Sequence, residues 1–324
     1  MRKYKPGTFI ISLDFELYWG LKARHSLESC RERLLGARAA IPRLLDVFAR
    51  HDIAATWATV GLLFFDDKDD LLAHLPNERP RYTNAALSAY TGIDRIGRNE
   101  REDPFHFARS LIRQIKDTPR QEIASHTFSH YYCLEAGQTA RTFAADLHAA
   151  KRVAETLGLT LESLVFPCNQ FNPAYLAVCQ EMDFKIFRGN PESWLYTAAN
   201  QGRDGAARRL ARLADSYLPL TGAQTARPRQ AAGNITDVAA SAFLRPVAGV
   251  LAPFEPLRLR RITRSMTQAA RDGATYHLWW HPHNFGRDTD ANFDFLGQIL
   301  DHYRNLADSH GMRSASMREV AGVR

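Results

Sequence analysis

The chain has 324 residues, a length that suits one large domain or two ordinary ones. Hydrophobic residues make up 45% and charged residues 24%, which excludes disorder, collagen and coiled coil as the main organisation. The net charge of +7 is local: Gln201 to Arg271 holds twelve arginines, no lysine and four acids (Asp204, Asp215, Asp237 and Glu255), and the remainder is close to neutral. Such a patch attracts phosphate or an anionic membrane face. Its arginines are not interleaved with aromatics and no nucleic-acid motif accompanies them, so nucleic acid is not an expected partner.

From the N-terminus, MRKYKPGTFIISLDFE begins basic, but its apolar part is brief and meets charge at Asp14. It makes a poor signal peptide, so a cytoplasmic location is expected, with at most peripheral membrane contact. Thr8 to Asp14 predicts a buried strand, and Ser29 to His51 a helix that Pro42 kinks or splits. Ala54 to Phe64 holds a second strand; the apolar run there, Ile53 to Phe65, is short of the roughly 20 residues a membrane span needs. Residues 66–104 are polar and punctuated by Pro, Gly and Asn, an excursion from the core. There follow a helix over Phe105 to Lys116, a strand ending at Ser125, and a helix over Thr139 to Leu157 that stops at Gly158. Ser163 to Pro167 and Phe184 to Arg188 read as strands around a helix at Ala174 to Met182. Ser193 to Leu213 reads as helix, Leu257 to Asp272 as helix, Thr275 to Trp280 as strand and Asn292 to His310 as helix. Alternating apolar runs and helical stretches predict an α/β fold of βα units, one catalytic domain over 1–324 with insertions near 66–104 and 195–256.

Three clusters carry chemistry. In Ser12-Leu13-Asp14-Phe15-Glu16, two carboxylates two residues apart share a strand face, at the end where α/β barrels place their sites. In Ser125-His126-Thr127-Phe128-Ser129-His130, two histidines four apart on one helical turn face one way and can share a metal. His277 to Phe285 (HLWWHPHNF) ends a strand in histidines, which suit proton transfer near neutral pH. Two histidines and one carboxylate form a common ligand set for catalytic zinc with open positions. The four cysteines are scattered, with no CxxC pair, and no separate histidine-base motif supports Cys168 as a nucleophile.

Taken in order, these residues resemble the polysaccharide deacetylases that carry the NodB-homology domain. SLDFE resembles that family's first motif, ATWATVGLLF its second strand and EIASHTFSH its metal motif; VFPCNQFNP, FRGNPESW and WWHPH take the places of the third to fifth motifs. The resemblance implies a distorted, incomplete (β/α) barrel. It implies Asp14 as catalytic base, Glu16, His126 and His130 as ligands of a divalent metal, most simply Zn2+, and His281 as general acid with His283 as the alternative. A backbone N–H after the third motif would face the oxyanion, and Trp194 would line a sugar groove. The adjacent aspartates of the usual pattern are here separated by Phe15. The third-motif arginine that steadies the base is missing, with Cys168, Asn169 and Gln170 in its place and Arg188 as a candidate substitute. Asn169, Gln170, Arg188, Trp194 and His283 are therefore the candidate substrate contacts. The implied activity is removal of an N-acetyl group from an amino sugar in a glycan or glycan precursor, nucleotide- or lipid-linked, of the surface-polysaccharide type. N-deformylation, another amidase activity, or a silent glycan-binding barrel are the alternatives.

Overall fold

The computed structural model describes residues 5–200, 205–247 and 249–322. Ten strands form one sheet: β1 Thr8–Phe15, β2 Ala55–Thr59, β3 Gln121–Ser125, β4 Ser163–Leu164, β5 Ile186–Phe187, β6 Arg229–Gln230, β7 Thr236–Asp237, β8 Ala242–Phe243, β9 Thr275–Trp280 and β10 Arg313–Ser314. The order is β6-β7-β5-β4-β3-β2-β1-β9-β8, with β10 against the start of β1. Every pairing is parallel except β6 with β7. The path has two ends and does not close, and with its helices it is the distorted, incomplete (β/α) barrel expected.

Among the described residues nine α-helices accompany the strands: α1 Leu27–Arg50, α2 Lys68–Ala73, α3 Arg109–Asp117, α4 Ala140–Glu155, α5 Leu176–Glu181, α6 Ala206–Tyr217, α7 Glu255–Asp272, α8 Thr289–His310 and α9 Met317–Val320. Helix α1 runs unbroken through Pro42, and Thr139 caps α4 by accepting from the Thr142 amide. Three expectations need correction. Ser193–Leu213 is not one helix: a single 3-10 turn, Trp194–Tyr196, is followed by irregular chain to residue 200, and α6 starts only at Ala206. Residues 201–204 of that stretch lie outside the described residues. The expected strands at Ser163–Pro167 and Phe184–Arg188 pair over two residues each. No described helix is long and apolar enough to cross a membrane.

Period-2 alternation along β1 sorts its side chains into two environments. Phe9, Ile11, Leu13 and Phe15 join the large apolar core under the helices. Ile10, Ser12 and Asp14 occupy the opposite face. Ile10 packs with Ala58, Val165, Ile186, Val238 and Met317 in a small apolar plug. Ser12 and Asp14 stand two and four residues further along, so the inner face turns polar towards the carboxyl end of the strand. On β9, Tyr276, Leu278 and Trp280 join the large core, whereas His277 and Trp279 take the alternate positions.

Candidate active site

Glu16 follows the last residue of β1, His126 and His130 follow β3, and His281 follows β9. The ligand atoms of Glu16, His126 and His130 all lie within 4.8 Å of one another, and all three residues are buried. Glu16 Oε2 is 3.0 Å from His130 Nε2 and 3.6 Å from His126 Nε2. The spacing of four does not act through a helical turn, the geometry that the sequence suggests. The His126–His130 segment is a bent loop with Thr127 and His130 at φ of 62° and 53°. Left-handed backbone at non-glycine residues costs on the order of 1–3 kcal/mol each, so the surroundings must over-determine the loop.

They do so with a full set of hydrogen bonds. Gly61 N–H donates to Thr127 O at 2.9 Å and Leu62 N–H to Phe128 O at 3.0 Å. Asp146 of α4 accepts from the amides of Phe128 (2.6 Å) and Ser129 (3.2 Å) and from the Ser129 hydroxyl. Burial pushes the Asp146 carboxyl up to about 7, and the Ser129 and Phe128 donors work against that rise. His126 Nδ1–H donates to Val165 O at 2.9 Å, which leaves Nε2 as the lone-pair nitrogen. That buried Nε2 has no hydrogen-bond partner, and burial holds His126 below the usual histidine range. A neutral imidazole with an orphaned nitrogen beside a buried carboxylate fits a divalent metal.

Glu16 is itself tightly placed. A Cβ on Gly20 would stand 2.0 Å from the Glu16 carboxyl carbon, so only glycine leaves room there. The Leu17–Gly20 turn that carries it is braced by the 66–104 excursion and the residues just after it. Tyr18 N–H donates to Phe105 O (3.2 Å), Trp19 Nε1 to His106 O (2.9 Å) and Lys22 Nζ to Ala89 O and Thr91 O (both 3.0 Å). Burial alone would raise Glu16, but the nearby His281 and the hydrogen-bonded His130 hold it well below the carboxylate range.

Asp14 is gripped by Arg188 in a two-pronged pair, Nη1 to Oδ1 at 2.7 Å and Nη2 to Oδ2 at 2.8 Å. Burial opposes ionisation, yet the Arg188 charge outweighs it and keeps Asp14 below its ordinary value. Arg188 follows β5 directly, so it reaches the place where the sequence departs from the third motif. Beneath it lies a polar chain that sequence reasoning did not assign. Arg188 Nη1 donates to Ser12 Oγ (3.0 Å), the Ser12 hydroxyl donates to His277 Nε2 (2.8 Å), and His277 Nδ1–H donates to Val238 O (3.2 Å). The signal was present in the alternation: Ser12 and His277 stand two and four residues before Asp14 and His281 on the same faces.

His277 supplies a stability test. Burial, then the Arg188 charge, pushes it from 6.5 down to about 3. Between those values the unfolded imidazole binds a proton and the folded one does not, so stability falls as pH drops from about 6.5 to about 3 and levels off below. In urea titrations of the His277→Gln variant between pH 4 and 6, stability should depend less steeply on pH, by up to about 1.4 kcal/mol per pH unit.

His281 Nε2 is 3.7 Å from Glu16 Oε1 and 4.0 Å from Asp14 Oδ2, and its Nδ1 faces Asn284 Oδ1 at 3.3 Å. His283 stacks on it at 4.7 Å, with Nδ1 4.0 Å from Glu16 Oε1. Burial, then the His281 charge, pushes His283 down to about 3. Asn169 accepts from Arg188 Nη2 at 3.1 Å and lines the cleft. Two candidate contacts need correction. Gln170 is buried and spends its amide on Leu134 N–H (3.0 Å) and Glu135 (2.8 Å), tethering a loop. Trp194 is 77% exposed and does not line the cleft; Tyr196, Phe243 and Trp279 are the aromatics that do. Cys168 also lines the cleft with its side chain exposed, and desolvation by the cleft walls, then the Glu16 charge, push its thiol up, which disfavours a thiolate nucleophile.

The comparisons fit this geometry. Residues 35–187 match the family model described as polysaccharide deacetylase. Over that stretch the chain is similar to the polysaccharide deacetylase family. The matched stretch, just under half of the chain, runs from α1 to β5. It includes His126 and His130; Asp14, Glu16, Arg188 and His281 lie outside it and enter the site through the fold. Members of that family are hydrolases acting on carbon–nitrogen bonds other than peptide bonds. Among solved structures, a Mycobacterium smegmatis protein assigned as a polysaccharide deacetylase aligns at a TM-score of 0.60 and 13% identity, over 99% of this chain and 91% of that one. A Pseudomonas aeruginosa PAO1 protein with the same assignment aligns at 0.56 and 12%, over 98% and 89%. PuuE allantoinase aligns at 0.55 and 12%, over 98% and 88%. At these identities the likeness is one of fold. No curated protein matches the chain.

Proposed function

We propose that the protein is a metal-dependent N-deacetylase of an amino sugar. One observation carries this reading: the Glu16, His126 and His130 ligand atoms converge beside Asp14 and His281 in a single cleft. A divalent ion held by those three residues, zinc being the natural choice for two imidazoles and a carboxylate, supplies Lewis acidity and makes a water acidic near neutral pH.

The remaining work falls to the chain's own groups. Arg188 keeps Asp14 ionised and aimed; its grip on both oxygens also lowers their basicity, so Asp14 suits only a proton that is already acidified. That proton passes to Asp14 as the water oxygen bonds to the acyl carbon. The amides of Asn169 and Gln170 are taken up by Phe166 O and Pro167 O (both 3.0 Å). Cys168 N–H is thus the amide of that turn with no backbone acceptor among the described residues, and the donor available to a developing oxyanion. His281 Nε2 gives a proton to the nitrogen as the carbon–nitrogen bond breaks, because an amide nitrogen leaves poorly as an anion. Acetate and a free amine result. His283, held neutral behind His281, orients that ring by stacking.

The test is acetate release by the zinc-loaded protein over UDP-N-acetyl sugars and short N-acetylated oligosaccharides, with formate measured in parallel on N-formyl analogues. Acetate release that stops on chelation and returns with zinc is the expected result. Formate release alone would reassign the acyl group, and release of neither by zinc-replete protein would refute the reading.

A further inference from the structure

The cleft above the metal cluster measures about 420 Å3 and is lined by six arginines: Arg24, Arg209, Arg212, Arg245, Arg258 and Arg261. Its lining acids are Asp14 and Glu16, which already face Arg188 and the histidines. Arg258 is paired with Glu255 and Arg261 with Asp215, so these two build the wall. Arg245 is different. Its guanidinium lies 5.7 Å from the centre of the Phe243 ring, and no carboxylate among the described residues forms an ion pair with it. Burial above all holds Arg245 below the usual arginine range, and the Arg212 and Arg258 charges add to it. Phe243 and Trp279 stand between this wall and the catalytic floor, at 5.8 and 5.7 Å from the His281 ring.

We propose that Arg245, with Arg212 and Arg24, forms a phosphate-binding subsite, and that the substrate is an N-acyl amino sugar bearing a phosphate or diphosphate ester on the carbon next to the amide-bearing one. In such a molecule the amide and the phosphate project from neighbouring ring carbons. One sugar over Phe243 and Trp279 can then present the amide to Glu16 and His281 and the phosphate to the arginines of the same cleft. Guanidinium groups bind phosphate oxygens in pairs and tolerate partial desolvation, which suits a half-buried arginine wall. The volume is within the range of small-ligand pockets. The amide half of this inference rests on the deacetylase reading above; the phosphate half does not.

The experiment is calorimetric titration of pyrophosphate into the zinc-loaded full-length protein. Arg245→Gln should weaken binding about tenfold or more, Arg212→Gln/Arg245→Gln further, and Arg245→Lys less. His126→Ala should leave binding in place, since the arginines hold the anion. Equal affinity in wild type and both glutamine variants, or loss of binding in His126→Ala with retention in Arg245→Gln, would overturn the subsite. Two further arms distinguish the source of the phosphate. Tighter binding of UDP than of pyrophosphate assigns a nucleotide-linked sugar; arginine-dependent sedimentation with phosphatidylcholine vesicles containing polyprenyl phosphate assigns a lipid-linked one. Arginine-dependent phosphate binding in a protein that never releases acetate keeps the subsite and rejects the deacetylase. Acetate release with phosphate affinity indifferent to the arginines does the reverse.

Discussion

His126→Ala should leave a folded protein that retains no stoichiometric zinc and releases no acetate. His126 contributes a buried Nε2 without a hydrogen-bond partner, on a ring that Val165 O orients through Nδ1. Removing it leaves Glu16 and His130, two donors where a catalytic zinc site uses three. The chain around it is held independently by the Asp146, Gly61 and Leu62 contacts, which are made by backbone atoms and Ser129, so the fold should survive. Metal analysis after gel filtration, paired with the acetate assay and circular dichroism, checks all three statements. A variant with one zinc per chain and intact turnover would remove His126 from the site.

Asp14→Asn should keep the metal and lose turnover by about 10²–10⁴-fold, the usual worth of a positioned general base. The substitution preserves size while removing the charge that Arg188 answers. Two consequences follow. The buried Arg188 guanidinium loses its counter-ion, and leaving one partner of a buried pair unmatched destabilises by about 3–5 kcal/mol. A lowered melting temperature should therefore accompany the lost activity. Separating these effects needs zinc content as well as kcat. A low kcat in a protein that still binds one zinc places Asp14 at the chemistry, whereas zinc loss in step with kcat would make it a structural residue.

The sequence carried the chemistry better than the geometry. Asp14, Glu16, His126, His130 and His281 are legible because each ends an apolar run, and strand ends are where parallel sheets present side chains to a site. The spacing of His126 and His130 suggests a helical turn because i and i+4 meet on a helix, but left-handed residues at Thr127 and His130 bring the same two rings together without one. Nothing local marks Asp146: it sits on the outer helix α4, and its role exists only once α4 lies against the loop. Arg188 follows from its position at a strand end alone, since a guanidinium after β5 can replace one after β4 only if the sheet brings both to the same carboxylate. Gln170 and Trp194 follow from motif placement alone, and the side chains point elsewhere. The long helix expected over Ser193–Leu213 is interrupted at 197–200, where the chain is irregular. The charge excess of residues 201–271 shows in composition, but only the fold shows that Arg258 and Arg261 pair with acids while Arg245 lies against the Phe243 ring.

The account stands on three side chains, distant in sequence, gripping one ion. Anomalous diffraction at the zinc edge from crystals of the zinc-loaded protein measures this directly. The expected result is one strong peak about 2.0–2.2 Å from His126 Nε2, His130 Nε2 and a Glu16 carboxylate oxygen. A peak bound elsewhere on the chain, with this cluster still joined by its own hydrogen bonds, would contradict it.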